Sequence, residues 1–207
     1  MAGAVPSKLD RGAAAGWVSL NGVRRMKMLD LLPVGDIEAG LLQDLAPALA
    51  NSFRIPCRIR QADRLDPQFA FHPERGQHHS SEILQAMQPY ASGAWRVLGV
   101  TAVDLYIPIL TFVFGEAQMG GPCAIVSYHR LRQQFYGLPH DYDLLLDRLV
   151  KESVHEVGHT FDLTHCRDYS CVMAPSHAVE WIDLKEAALC SACEEQALEA
   201  VGCGRNS

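Results

Sequence analysis

The stretch His155–His165 reads HEVGHTFDLTH, and its reading decides the arrangement of the rest of the chain. His155 and His159 stand at i and i+4, so on an α-helix they share one face about one turn apart. Both imidazoles can then reach one zinc ion, with Glu156 beside them. A continuous helix would carry the third imidazole, His165, away from that pair. The chain must therefore turn sharply after Phe161 for His165 to close a three-histidine site. Three neutral imidazoles leave a fourth position for water, the arrangement of a catalytic zinc site. Zinc lowers the pKa of such a water to about 7. Glu156 is placed to take its proton and pass it to a leaving amine, which is the chemistry of amide hydrolysis. Two histidines on a helix also occur as plain surface or core residues; the third histidine lifts the pattern above that background.

The 207 residues suffice for one domain with a sizeable core. Apolar content is 48% and charged content 20%, which is globular composition. The net charge of −6 argues against nucleic acid as a main partner and gives no reason to expect an anionic membrane. The longest apolar run, Leu105 to Phe114, is too short to span a bilayer and contains Pro108, so it reads as buried strand.

Working outward from the motif, Asp141 to Phe161 is the longest helical segment, with Leu144, Leu145, Leu149 and Val150 as its inner face. Upstream, residues 1–25 are rich in Ala and Gly and read as a poorly ordered tail with no apolar core of a signal peptide. Met28 to Val34 reads as a first strand. Asp36 to Phe53 reads as a helix with Asp36 as N-cap, and Cys57 to Arg64 as a second strand. Ala70 to Ser80 reads as a surface loop whose histidines, His72, His78 and His79, are solvated rather than ligands. Ser80 or Ser81 can cap a helix through Met87, as far as Tyr90 at most. Arg96 to Tyr106, Phe112 to Glu116 and Cys123 to Tyr128 are β-type runs, the last two forming a hairpin across Gly120-Gly121-Pro122. Asp183 to Ala200 reads as a final helix. Strands alternating with helices favour an α/β layer with function at the C-terminal end of the chain.

Seven cysteines are many for this length. Cys166, Cys171, Cys190 and Cys193 fall into two pairs whose spacing fits a tetrahedral structural zinc, which can tie down a tail too short for its own core. Buried free cysteines or two disulfides are the alternatives. The odd total and the lack of a secretion signal favour reduced thiols in a cytoplasmic setting. Cys57 and Cys123 sit in strand-like runs as small core residues, and Cys203 has no assignment. Because His165 and Cys166 are neighbours, a zinc in the second site would help to fix where the third histidine points.

The run HEVGHTFDLTHC, followed by Cys171-Val-Met173 and then Cys190-Ser-Ala-Cys193, resembles the archaemetzincins, a branch of the metzincin zinc peptidases. Upstream, LGVTAVDLYIPILTFVFGEAQ (Leu98–Gln118) and CAIVSYHRL (Cys123–Leu131) resemble the same family, so the likeness runs from about Met26 onward. The resemblance implies an α/β fold with a twisted mixed sheet, a backing helix and an active-site helix, then a small zinc-tethered C-terminal subdomain. It divides the chain at about 26–165 and 166–207. It implies a zinc-dependent metallopeptidase with two zinc ions per chain, acting on peptide or protein substrates; a monomer is expected, although the sequence does not fix the oligomeric state. His155, His159 and His165 would hold the catalytic zinc, with Glu156 as general base and acid. Cys166, Cys171, Cys190 and Cys193 would hold the structural zinc, and Met173 would form an apolar floor beneath the histidines.

Two positions depart from the family pattern. Asp162 stands where metzincins usually carry Gly at a turn expected to need positive φ. Asp is among the few other residues that visit that region. Ala174, Pro175 and Ser176 follow Met173, so no Tyr is available there to stabilise an oxyanion. An extended substrate would lie along an edge strand, with Phe112 to Gln118 as the candidate and an ordinary core strand as the alternative. Residues 174–181 would wall the pocket for the side chain after the scissile bond. The rival function class is a non-catalytic zinc-stabilised binding protein, and Glu156 separates the two because a structural site needs no general base.

Overall fold

The computed structural model describes residues 17–20 and 23–202. Two short strands, β1 (Trp17–Leu20) and β2 (Val23–Met26), pair antiparallel as a separate hairpin, Trp17 opposite Met26. The tail expected over residues 1–25 thus contains paired backbone in its described part; residues 1–16, 21, 22 and Cys203 lie outside the described residues.

From there the chain runs β3 (Leu29–Val34), α1 (Leu41–Phe53), β4 (Cys57–Ile59), β5 (Phe71–His72), β6 (Gln77–His79) and α2 (Ser80–Ala91). It continues through β7 (Arg96–Thr101), β8 (Leu105–Tyr106), β9 (Gly115–Ala117) and β10 (Cys123–Ser127). Three helices complete it: α3 (Tyr142–Thr160), α4 (Val179–Leu184) and α5 (Ser191–Val201). The main sheet has the order β4-β3-β7-β10-β9, parallel throughout except for β9, which pairs antiparallel with β10 at one edge. Sheets with helices on both faces need strands apolar on both sides. LDLLPV, RVLGVT and CAIVS meet that requirement and are buried almost throughout. Successive side chains alternate faces. Leu31, Leu98, Val100 and Val126 pack under α1 and α3, while Leu32, Val34, Val97 and Ile125 pack under α2. Among the described residues, no helix is long and apolar enough to cross a membrane.

Several boundaries depart from the sequence reading, each for a local reason. α1 starts at Leu41 because Gly40 occupies the cap position at φ 86°; Asp36 pairs with Arg64 instead. The strand expected over Cys57–Arg64 ends at Ile59, where the chain turns and Arg60 reaches Asp30 and Asp63. The loop expected over Ala70–Ser80 is the β5–β6 hairpin, and β6 runs parallel to β8. The Nδ1 atoms of His78 and His79 are buried there rather than solvated. The run Arg96–Tyr106 is broken, since β7 belongs to the main sheet and β8 to a second, three-stranded one.

The apolar run Leu105–Phe114 is not a buried strand. After β8 it swings outward, leaving Ile109 86% exposed and Leu110 half exposed. Pro108 cannot donate to a ladder, and the loop carbonyls are held by side chains. Arg75 donates to Leu110 O and Thr111 O (2.9 and 3.1 Å), and Gln77 to Thr111 O (3.0 Å). The final helix is two helices, because Lys185 turns inward after α4 and α5 begins only after Cys190.

One charge sits inside the main sheet. Asp30 on β3 is fully buried and accepts from Arg58 Nε and Nη2 (3.0 and 2.6 Å) and from Arg60 Nη1 (3.2 Å). Truncating one member of a buried ion pair strands the others; partial exposure of both arginines moderates the loss. Asp30→Ala is therefore expected to lower unfolding free energy by about 2–3 kcal/mol, read from the denaturant midpoint.

Candidate active site

α3 is capped by Asp141, whose Oδ1 accepts from Leu144 N at 3.0 Å. It carries His155, Glu156 and His159, and its C-terminal end decides whether His165 can join them. Leu163 N donates to Gly158 O (3.2 Å) and Asp162 N to His159 O (3.0 Å), the paired bonds of a Schellman stop around a left-handed residue. That residue is Asp162, at φ 67°. The turn expected of a glycine is thus made by aspartate. It is braced by Gly120 N, which also donates to His159 O at 3.0 Å.

The stop sends the chain back past the helix. Ring centroids of His155 and His159 lie 4.6 Å apart, and His165 lies 5.3 and 5.1 Å from them. One ring nitrogen from each histidine falls within 4.8 Å of the others, a grouping that could hold a metal ion. His155 Nδ1 contacts Val172 O at 2.9 Å and His159 Nδ1 contacts Leu163 O at 2.7 Å. Only a protonated Nδ1 can bond a carbonyl, so the lone pair of each of these two rings sits on Nε2. The two Nε2 atoms face each other at 3.1 Å. Burial, the leading cause, pushes the pKa of all three rings down, so they are neutral donors. Two facing lone pairs repel unless a cation lies between them. A tetrahedral zinc with Zn–N of about 2.0–2.1 Å sets its ligands about 3.3–3.4 Å apart. The donor set fits zinc.

Glu156 is buried, and burial first, then Glu152 and Glu116, push its pKa well above the carboxylate range against the pull of Lys185. It points toward β9. A Cβ on Gly115 would lie 2.5 Å from Glu156 Cγ, so only glycine lets the strand come this close. On the other side of α3, a Cβ on Gly158 would lie 2.5 Å from Met173 Sδ. Met173 is fully buried and packs against Gly158, next to His159 in the helix.

The cleft in front of these groups encloses about 390 Å³. It is lined by the Leu110–Gly115 segment and by Pro175, Ser176 and His177. Glu152, His155, Glu156 and His165 complete its lining. Trp181, expected in the same wall, lines a separate apolar recess with Tyr169 and Leu184. Within the run Phe112–Gln118, only Gly115–Ala117 is strand, and it lies at the edge of the main sheet rather than in its middle.

The four cysteines of the second cluster also converge, with their Sγ atoms within 4.8 Å of one another. Cys166 Sγ and Cys190 Sγ are 3.8 Å apart and all four thiols are free, so no disulfide is present among them. A Zn–S bond of about 2.3 Å gives a tetrahedral S···S separation of about 3.8 Å. Asp168 N and Cys190 N donate to Cys166 Sγ and Cys171 Sγ at 3.4 and 3.3 Å, as suits thiolates. Cys57 and Cys123 lie apart in the core, where burial pushes their thiols up to about 12 and about 11, consistent with inert packing residues.

Gly115, Gly158, Glu152 and Lys185 escaped the sequence reading. A glycine inside a helix forgoes about 1 kcal/mol relative to alanine, and that anomaly was the available signal for Gly158. Glu152 stands one turn before Glu156, a like-charge i,i+4 pair that is unfavourable on a plain helix face. Gly158→Ala is expected to destabilise by about 1–3 kcal/mol through overpacking against Met173. Asp162→Gly, relieved of left-handed strain but gaining unfolded-state entropy, is expected to stabilise by about 0.5 kcal/mol. Chemical denaturation measures both.

Comparison with known proteins agrees with this geometry. The profile of Peptidase family M54 matches residues 91–199. Archaemetzincin of Methanocaldococcus jannaschii is 40% identical over 162 residues, covering 78% of this chain and 87% of that one. Archaemetzincin of Thermococcus kodakarensis is 36% identical, covering 84% and 96%. The crystal structure of archaemetzincin from Methanopyrus kandleri superposes with a TM-score of 0.75 at 32% identity, covering 85% and 96%. A zinc-dependent peptidase from Methanocorpusculum labreanum gives a TM-score of 0.76 at 29% identity, covering 82% and 99%. The chain therefore belongs to peptidase family M54, the archaemetzincin metallopeptidases.

Proposed function

We propose that this metallopeptidase hydrolyses peptide bonds with His155, His159 and His165 holding a catalytic zinc and Glu156 acting as general base and then acid. Cys166, Cys171, Cys190 and Cys193 hold a second, structural zinc that ties residues 166–207 to the rest of the chain. The observation that carries this reading is the convergence of three imidazole nitrogens beside a buried, otherwise poorly compensated carboxylate. When bound, the catalytic zinc supplies Lewis acidity and an acidified water.

The chain's own groups supply the rest. Glu156, desolvated and flanked by acids, has the proton affinity to accept a proton from the attacking water and return it to the leaving amine. Gly115–Ala117 offers free backbone groups on its outer edge, to which an extended peptide can add as a further strand. Pro175–His177 also lines the cleft and walls the pocket for the side chain following the scissile bond. Cys166 N donates to Met173 O at 2.9 Å, so the cysteine cluster and Met173 are bonded directly.

Glu156→Ala is expected to lower kcat by at least ~10²–10⁴-fold on a fluorogenic peptide library while metal analysis still finds two zinc ions per chain. Loss of zinc together with activity would remove the general-base assignment. Replacing Cys190 and Cys193 by Ser is expected to leave one zinc per chain and to weaken its binding. Unchanged affinity of the remaining zinc in competition with a chelator would disprove the coupling between the two sites.

A further inference from the structure

Behind His155 lies a buried ion pair that the hydrolytic chemistry does not use. Lys185 Nζ donates to Glu152 Oε1 at 3.0 Å, and the two side chains are 2% and 4% exposed. Lys185 Nζ also donates to Val172 O and Ala174 O at 3.2 and 2.9 Å. An ammonium has three protons, and here all three are taken. Glu152 differs. It is among the residues lining the cleft, whereas Lys185 is not. One carboxylate accepts at about four lone-pair positions, and the ammonium fills only one of them. The hydroxyl of Ser176, another lining residue, lies close enough to influence Glu152, yet it is buried and forms no well-shaped hydrogen bond. Burial raises the pKa of Glu152 against the opposing pull of Lys185.

We propose that Glu152 is the specificity-determining residue of this pocket, selecting substrates whose side chain after the scissile bond is cationic, arginine or lysine. The inference rests on the peptidase reading above and deepens it. Phe112, Val113 and Pro175 provide apolar walls for the methylenes of such a side chain, and Glu152 with Ser176 provides acceptors at its end. A cationic head completes the carboxylate's hydrogen bonds at the acceptor positions that Lys185 leaves open. An acidic side chain would meet a second carboxylate in a desolvated cleft, and an apolar one would leave both acceptors unmet.

The test fixes the register with a zinc-binding group. Hydroxamate-capped peptides whose first side chain is Arg, norleucine or Glu are titrated against the zinc-loaded protein by calorimetry. The Arg compound is expected to bind about 10- to 100-fold tighter than the norleucine compound, the range of one charged hydrogen bond, and the Glu compound weakest. In Glu152→Gln the Arg preference should fall to about threefold or less, with norleucine binding retained. Because the single change leaves Lys185 without its counter-charge, Glu152→Gln/Lys185→Met, which removes both charges, is measured in parallel with thermal unfolding of each variant. Equal affinities across the wild-type series, or an equal loss for all three compounds in both variants, would overturn the assignment. Failure of the zinc-loaded wild type to cleave any peptide while the Arg preference persists would instead count against the peptidase reading alone.

Discussion

The left-handed turn at Asp162 is the constraint on which the site depends. α3 can deliver two imidazoles to one face by its own periodicity, but the third must come from a chain that has stopped being helical. The stop also does a second job. Leu163, the residue after the turn, presents the carbonyl that accepts from His159 Nδ1 at 2.7 Å. One backbone conformation therefore both redirects the chain toward His165 and fixes which nitrogen of His159 faces the other rings. Second-layer carbonyls of this type set the tautomer and orientation of metal-binding histidines. Aspartate tolerates the conformation because its short polar side chain is among the few that visit it.

A second carbonyl plays the matching part for His155. Val172 O receives His155 Nδ1 and Lys185 Nζ together. Its neighbour Met173 fills the space under Gly158 and accepts from Cys166 N. The segment from Cys166 to Ala174 is thus fastened from three directions: by the active-site helix, by the inward-turned lysine and by the cysteine cluster. It has little regular structure of its own. In a stretch with so few internal hydrogen bonds, external fastening is what holds these carbonyls and Met173 in place beside a histidine group that could hold a metal.

What was legible in the sequence divides along physical lines. Periodicity and caps are local, so α3 was read to within a residue of its ends, with Asp141 supplying the cap. The β9–β10 hairpin followed from Gly-Gly-Pro between two β-type runs. The metal-capable groups were legible because ligand chemistry demands residue types at fixed offsets, and the structure brings together all seven of the side chains so identified. What escaped depended on tertiary contacts. Leu105–Phe114 is apolar without being buried, because Arg75 and Gln77 hold its carbonyls at the rim of the cleft. The continuous helix expected from Asp183 is interrupted because Lys185 is drawn inward by a carboxylate on another helix. Neither hydropathy nor spacing encodes a partner more than thirty residues away.

That ion pair also bears on what the cleft is for. Burying two charges from water is rarely a route to stability, and well-packed apolar residues of similar size often do as well or better. A pair retained in such a place asks for another reason, and its asymmetry offers one. The cation is saturated by three acceptors, two of them the backbone carbonyls of Val172 and Ala174, and is not among the residues lining the cleft. The anion, on a residue that lines the cleft, is left with spare acceptor capacity. Lys185 thus counters the cost of burying this carboxylate while taking up only one of its acceptor positions. The same arrangement places a second acid one turn from Glu156, which raises the proton affinity of that group. The two roles proposed for this helix, substrate selection by Glu152 and proton transfer by Glu156, would draw on one buried electrostatic arrangement, four residues apart.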